Sequence, residues 1–491
     1  MVLGLLFAGL TIRFLGDQRA GFLMTMQSVV ALSGAVGGFG FGTAAVRKVA
    51  AFHAVDNFEG ARSCLNAVLF FNLIVGVFMS AVIMVGFPWF LQWTRIAGEF
   101  RDEAFFACVF VALTSVIQQI SATYAITYSA LQRYDIIAIL GFIFGFLHGG
   151  LGLLILSLFC TMSALACLSF ILASTQFLIN FVLVRRLLRG NLAPAWNPRG
   201  LRSMARFGGW AWLTSLGGMV NSSLDKIALT TLLGSASLPY YVVGQKVVSQ
   251  VHNALATQSH FIFPMLAAKG NEAGLAIRRV EDRLRWFLSF ASAVIYGSLV
   301  IVAHPLLSRL VGSDFADRAM VPFMLACFQG FLVAQSIVPY YISWAEERAE
   351  PNAVFGFVTG LLTFATIMWI APQYGILGAS LGQLWIGPTA LALIGWVSWQ
   401  GRRFSWGGIF RPLVSPTVTW IILLVMGWAF WVLQLDRRAE WWPLASVSAI
   451  SAILAGMCFE YWIFRGFMCL ETLKSAIKIL VSRLIPVHSI K

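Results

Sequence analysis

The 491-residue chain is 59% hydrophobic and only 11% charged, with a formal net charge of +14. Soluble domains carry about 25% charged residues, so this chain has too few to cover a water-facing surface, and an ordinary soluble enzyme is excluded. Apolar runs of about 18 residues or more recur along the sequence, each long enough to cross a hydrocarbon layer of roughly 30 Å. The pattern is that of an all-α polytopic membrane protein.

In chain order the predicted spans are 1–15, 20–46, 64–92, 104–131, 136–159, 162–184, 207–233, 240–266, 286–310, 319–343, 354–371, 376–399, 413–435 and 443–465. They give about 14 transmembrane helices joined by short connections. The start, MVLGLLFAGLTIR, lacks the charged n-region and small-residue cleavage site of a secretory signal. It reads as a short first span that begins abruptly, as if a turn or two were missing.

The second span holds SGAVGGFGFGTAAVRK, in which Gly40, Gly42 and Ala45 spell G-x-G-x-x-A. A dinucleotide fingerprint needs a strand before it and a helix after it, and this stretch has neither. Gly34, Gly38 and Gly42 fall at i, i+4 and i+8, the spacing of a small-residue stripe on which membrane helices pack. The seven cysteines lie in or beside apolar runs without C-x-x-C spacing, so packing rather than metal or disulfide chemistry is expected.

Between the sixth and seventh spans, residues 186–206 form a basic linker. With the N-terminus placed inside, the cytoplasmic segments hold 24 of the 34 Lys and Arg and the opposite side 8, leaving Lys226 and Lys246 within spans. That excess orients the chain with both termini in the cytoplasm. The positive charge is therefore a topology signal, with anionic membrane lipids as its partner and no role for nucleic acid. The tail, 466–491, contains LETLKSAIKILVSRLI, which reads as an amphipathic helix on that surface.

The seventh and eighth spans are unusually polar. Thr214, Gly218, Asn221 and Asp225 lie on one stripe at ideal helical spacing, with Ser215, Ser222 and Lys226 beside it. The eighth carries Lys246, Ser249, Gln250, Asn253, Thr257 and His260. Ionisable groups inside a bilayer cost roughly 2.5–3.5 kcal/mol each on insertion scales, so they face a cavity or a partner. Asp225 and Lys246 are at similar depth and can meet, whereas Lys226 points about 100° away from Asp225 and is a poorer partner. Cavity lining and structural pairing with snorkelling lysines both fit these residues. His252 and His260 are proton-relay candidates or packing histidines. Arg47 and Arg133 stand at inner span ends, where a phosphate could dock.

FLGDQRAGF and LLGSASLPYY place Gly16 and Gly234 at 218 residues' separation; VGFPWF and VAHPLL pair Pro88 with Pro305 at 217. LQRYD and AEERAEP follow the fourth and tenth spans at a similar offset. The fold expected is two six-helix bundles, 1–185 and 207–400, related by a pseudo-two-fold along the membrane normal. Helices 13 and 14 (413–465) stand outside the repeat.

The segment RFLGDQRAGFLMTMQSVVALSGAVGGFGFGTAAVRKVA resembles the start of oligosaccharide flippases of the polysaccharide transporter (Wzx-type) family. That group shares a superfamily with multidrug exporters of the MATE type and lipid II flippases. DKIALTTLLGSASLPYYVVGQKV and APQYGILGASLGQ are similar to its seventh-to-eighth and eleventh-to-twelfth segments. The resemblance implies ion-coupled flipping of an undecaprenyl-diphosphate-linked glycan across the cytoplasmic membrane by alternating access. Polysaccharide polymerase and glycosyltransferases would be its partners, and no cofactor is needed. On that reading Arg47, Lys226, Lys246, Asn221, Gln250 and Asn253 bind substrate, while Asp225 and His260 couple an ion or proton. A MATE-like exporter of small cations is the alternative, against which two lysines facing one aspartate count. A membrane glycosyltransferase or ligase would need catalytic groups on a sizeable outer loop, and only short loops are expected.

Overall fold

The computed structural model describes residues 2–38, 41–188, 190, 192–198, 200–202, 204, 212, 216–259, 274–345, 350–400, 406–433 and 450. Among these the secondary structure is helical throughout. The helices are α1 (Val2–Leu15), α2 (Asp17–Gly38), α3 (Phe41–Ala54), α4 (Phe58–Thr94), α5 (Arg101–Ala130), α6 (Tyr134–Phe159) and α7 (Met162–Leu187). They continue with α8 (Asp225–Leu233), α9 (Leu238–Gln258), α10 (Gly274–Leu310), α11 (Ser313–Ala334) and α12 (Ile337–Ala345). The last described are α13 (Glu350–Tyr374), α14 (Ile376–Gly382), α15 (Ile386–Gln400) and α16 (Trp406–Val432). Nine described segments are long and apolar enough to cross a membrane, from Phe58–Thr94 to Pro412–Val432. The fourteenth predicted span, the amphipathic tail and most of AEERAEP lie outside the described residues.

The apolar side chains that a soluble protein would bury are displayed here. Phe142 is 76% exposed, Phe78 60% and Leu158 66%, as expected for helices whose outer solvent is hydrocarbon rather than water. Exposed Trp89 and Trp93 near the end of α4, and Trp369 and Tyr374 near the end of α13, suit the head-group level.

Chain contacts divide the protein into two units. The first comprises Met1–Val243 with Ala353–Gly382, and the second Gly244–Asn352 with Gln383–Lys491. This partition follows contacts and differs from the six-helix bundles expected from the sequence. In the first unit, α3, α4, α5 and α7 share a core that includes Ala45, Leu65, Val68, Tyr128 and Val184. Lipid tails are as apolar as leucine, so packing and buried polar bonds must hold such helices together. Asn72 donates to Thr123 Oγ1 at 3.0 Å, joining α4 to α5, and Tyr128 Oη donates to Asn180 at 3.0 Å, joining α5 to α7. In the second unit, α16 lies along α10, with Leu423 filling the space above Gly297. Trp420 stacks on Phe331 and Phe328 of α11.

Gly34 and Gly38 lie on α2 and Gly42 on α3, and residues 39–40 between them lie outside the described residues. A Cβ on Gly34 or Gly42 would meet only ordinary contacts with Gln119 and Ile126 of α5, and one on Gly38 would meet nothing. Close approach falls instead at Gly21, where a Cβ would sit 1.8 Å from the Ser235 carbonyl oxygen.

The offsets of the expected repeat recur in the turns. Among the described residues, the turns after the first, third, fifth, seventh, ninth and eleventh predicted spans each contain a left-handed residue: Gly16, Arg95, Cys160, Gly234, Gly312 and Gly375; Asp56 and Gln132, in the turns after the second and fourth, are left-handed too. Of the six, the second three follow the first three by 218, 217 and 215 positions. Pro88 and Pro305 lie at matching places inside α4 and α10, which are both 37 residues long.

Candidate functional site

The seventh predicted span is not a regular helix. A π-turn occupies Val220–Leu224, and α8 starts at Asp225. A π-turn closes over five residues rather than four, inserting one extra residue and about 100° of phase. The stripe expected from ideal spacing is therefore broken: Gly218 is exposed, while Asp225 seven residues later is buried. Thr214 and Ser215 lie outside the described residues, as does the Asn221 side chain.

Asp225 is 2% exposed and held by specific groups. Tyr241 Oη donates to its Oδ2 at 2.7 Å, and the Lys226 backbone N–H donates to Oδ1 at 2.8 Å. Lys226 Nζ stands 3.7 Å from Oδ1 and also donates to the Ser222 carbonyl. Lys226 is thus an ion partner of Asp225, contrary to the expectation from their angular separation. Its long stem curls back one turn to the carbonyl of the π-turn, which carries the ammonium over the carboxylate. Tyr241 was missed because its hydroxyl reaches the carboxylate only after α9 folds back along α8.

Above this pair the first unit is laced through successive residues of the DQR motif. Tyr240 Oη donates to Asp17; Gln18 donates to the Arg95 carbonyl at 2.8 Å. Arg19 donates to the Cys160 carbonyl at 3.0 Å, lies 3.7 Å from Glu103 and covers the Phe100 ring. Glu103 accepts the Met162 backbone N–H. Gly16, left-handed at φ 76°, turns the chain so that these three side chains fan out to different turns.

α9 presents two faces. Val242, Val243, Val247, Val248 and Val251 are buried. Ser249, Gln250, Asn253 and Thr257 are exposed and Lys246 is half-exposed, forming one polar stripe at i, i+3, i+4, i+7 and i+11 from Lys246. Lys246, Gln250 and Asn253 thus share one face of α9, and the half-buried Lys226 pairs with the buried Asp225. Arg47 stands exposed on α3, a separate element. His260 lies outside the described residues. Arg133 is engaged by Asp135, with Nη2 2.8 Å from Oδ2, and that hydrogen bond holds its proton above the usual arginine range.

Within the second unit a chain of buried amides went unrecognised in the sequence. Gln245 donates to Gln329 Oε1 at 2.8 Å, and Gln329 donates to Gln383 Oε1 at 2.8 Å, linking α9, α11 and the 3₁₀ turn Gln383–Trp385 between α14 and α15. Two tyrosines also reach α9: Tyr296 of α10 donates to the Val248 carbonyl at 3.1 Å, and Tyr341 of α12 to the Ala256 carbonyl at 3.1 Å. Among the described residues no cluster of His, Cys, Asp and Glu could hold a metal ion.

Known proteins were compared with this arrangement. Among solved structures the fold is similar to that of the lipid II flippase MurJ in an inward closed conformation, with TM-score 0.75 and 10% identity, covering 95% of this chain and 97% of that one. It is also similar to an inward-facing multidrug resistance MATE family transporter of the MOP superfamily, with TM-score 0.59 and 13% identity over 82% of this chain and 94% of that one. A MOP superfamily transporter from Pyrococcus furiosus Vc1 (DSM3638) gives TM-score 0.56 and 13% identity over 82% and 92%. At these identities the likeness is one of fold, and the fold is that of a membrane transporter. No curated protein matches the sequence. The pattern of one family does match, over residues 10–320, and the chain belongs to it: the polysaccharide biosynthesis protein family.

Proposed function

We propose that the protein flips a lipid-diphosphate-linked oligosaccharide across the cytoplasmic membrane for surface polysaccharide biosynthesis, by ion-coupled alternating access. The observation that carries this reading is the polar stripe of α9. Lys246, Gln250 and Asn253 are displayed on a membrane helix whose opposite face is built of buried valines. Such groups are costly against hydrocarbon, so the stripe needs a wet surface or a polar cargo. An ammonium with amide neighbours suits a diphosphate and sugar hydroxyls. Membership in a polysaccharide biosynthesis family supports the same cargo class.

In this reading Arg47 and Lys226 add positive charge along the route, and Asn221 adds a further amide. Asp225 and His260 are the coupling candidates from the sequence. The two six-helix repeats, 1–185 and 207–400, are the proposed moving bodies. The 24-to-8 bias of basic residues supports cytoplasmic termini.

The test is flipping of an undecaprenyl-diphosphate-linked oligosaccharide in proteoliposomes, read by access of an external glycosidase. Lys246→Ala and the double variant Gln250→Ala/Asn253→Ala should lose at least tenfold in rate while melting normally. Full rates in both would remove the stripe from the route. Efflux of a cationic dye without glycan flipping would replace the flippase with an exporter.

A further inference from the structure

We propose that His252 is a proton-binding site of the second unit, and that its protonation displaces Tyr296 and loosens the seam between α9 and α10. The inference deepens the transport reading by naming a coupling residue, but its test needs no cargo.

His252 lies on the flank of α9 between the buried valines and the polar stripe. Its ring is partly open to the outside, yet Nδ1 is buried and has no hydrogen-bond partner. A neutral imidazole meets this arrangement by carrying its hydrogen on Nε2 and leaving a bare lone pair in the seam. Proton uptake turns both nitrogens into donors, and a buried N–H without an acceptor is expensive.

Helix geometry determines where that new donor turns. A helical side chain lies over the preceding turn, so the Val248 carbonyl, four residues back, is the acceptor toward which a protonated Nδ1 would turn. That oxygen is already filled. As in any α-helix it takes the backbone N–H of residue 252, and Tyr296 Oη supplies a second donor at 3.1 Å. A carbonyl has two lone pairs, so an imidazolium at 252 competes directly with Tyr296. Tyr296 is fully buried with its ring against Gly330 of α11, where a Cβ would be 2.5 Å from the ring. Release of its hydroxyl therefore reaches both α10 and α11.

The ionisable groups on the elements around His252 are these. Lys246 stands on α9 itself, six residues toward the Leu238 end, with Tyr240 and Tyr241 beyond it. α10 carries Tyr296, with Arg278, Arg279, Glu281, Asp282, Arg283 and Arg285 toward its start and His304 and Arg309 toward its end; α11 carries Asp314, Asp317, Arg318 and Cys327, and α12 carries Tyr340 and Tyr341.

The experiment is amide hydrogen exchange on the purified protein in lipid nanodiscs at pH 5.5 and 7.5, with ring-labelled histidine followed by NMR across the same range. Acid pH should raise exchange of α9 around residues 248–252 about fivefold, the ratio expected for loss of one ordinary hydrogen bond. His252→Gln should abolish the pH response, and Tyr296→Phe should show raised exchange at both values. A wild-type protein whose α9 exchange is the same at both pH values, or a His252→Gln protein that keeps the response, overturns the proposal. The wild-type measurement decides even if a variant fails to fold. A chain that shows the switch but flips no glycan would overturn the cargo assignment and leave the proton site standing.

Discussion

Asp225 shows how a single residue's surroundings change its meaning. Its carboxylate is buried, but Tyr241, Lys226 and a backbone amide all serve it. Hydrogen bonds to charged groups contribute about 1.5–3 kcal/mol, so Tyr241→Phe should lower stability by that amount, measured as thermal unfolding in detergent. Glycines supply a sharper contrast. Gly21→Ala drives a methyl into the Ser235 carbonyl and should strongly reduce folded protein recovered from membranes. Gly38→Ala meets open space and should be neutral or stabilising, by up to about 1 kcal/mol from helix propensity. Sequence spacing put Gly38 on the packing stripe and passed over Gly21. Contact geometry separates them, because a close approach depends on which turn lies opposite, and composition does not encode that.

Helices were readable where hydrophobicity alone decides them: α4 through α7 lie within a few residues of the spans read from apolar runs. Irregularities were not readable. The π-turn before Asp225 and the 3₁₀ turn at Gln383–Trp385 are set by packing across helices, and nothing in NSSLDK or GQLW marks them. The glutamine chain was hidden for the same reason, since Gln245, Gln329 and Gln383 are scattered in sequence and meet only in three dimensions. Gln329→Leu should cost about 1–3 kcal/mol for each amide left without its partner, seen as a lower melting temperature. Replacing all three by Leu should recover much of that loss, because an unpaired amide costs more than an absent pair.

At the scale of the molecule, membrane character, family and fold were legible from composition and motifs, and the membrane sidedness remains a proposal with a direct check. α4 is a single unbroken helix, roughly 55 Å long at 1.5 Å per residue, so its two ends must emerge on opposite faces. In a cysteine-free background, cysteines placed at Asp56 and Gln132 should react only from the cytoplasm, and those at Gly98 and Gly312 only from outside. Labelling of Gly312→Cys from the cytoplasm would invert the orientation drawn from the basic residues.

The six corners that follow odd-numbered spans differ in what their residues can do. Gly234, Gly312 and Gly375 take the left-handed bend without strain, whereas two of the earlier three corners are Arg95 and Cys160. Arg95 reaches the Leu232 carbonyl and the Cys160 carbonyl receives Arg19. At Arg95 and Cys160 the bend also serves as a fastening, and Arg95→Gly should ease the left-handed backbone while undoing the tie.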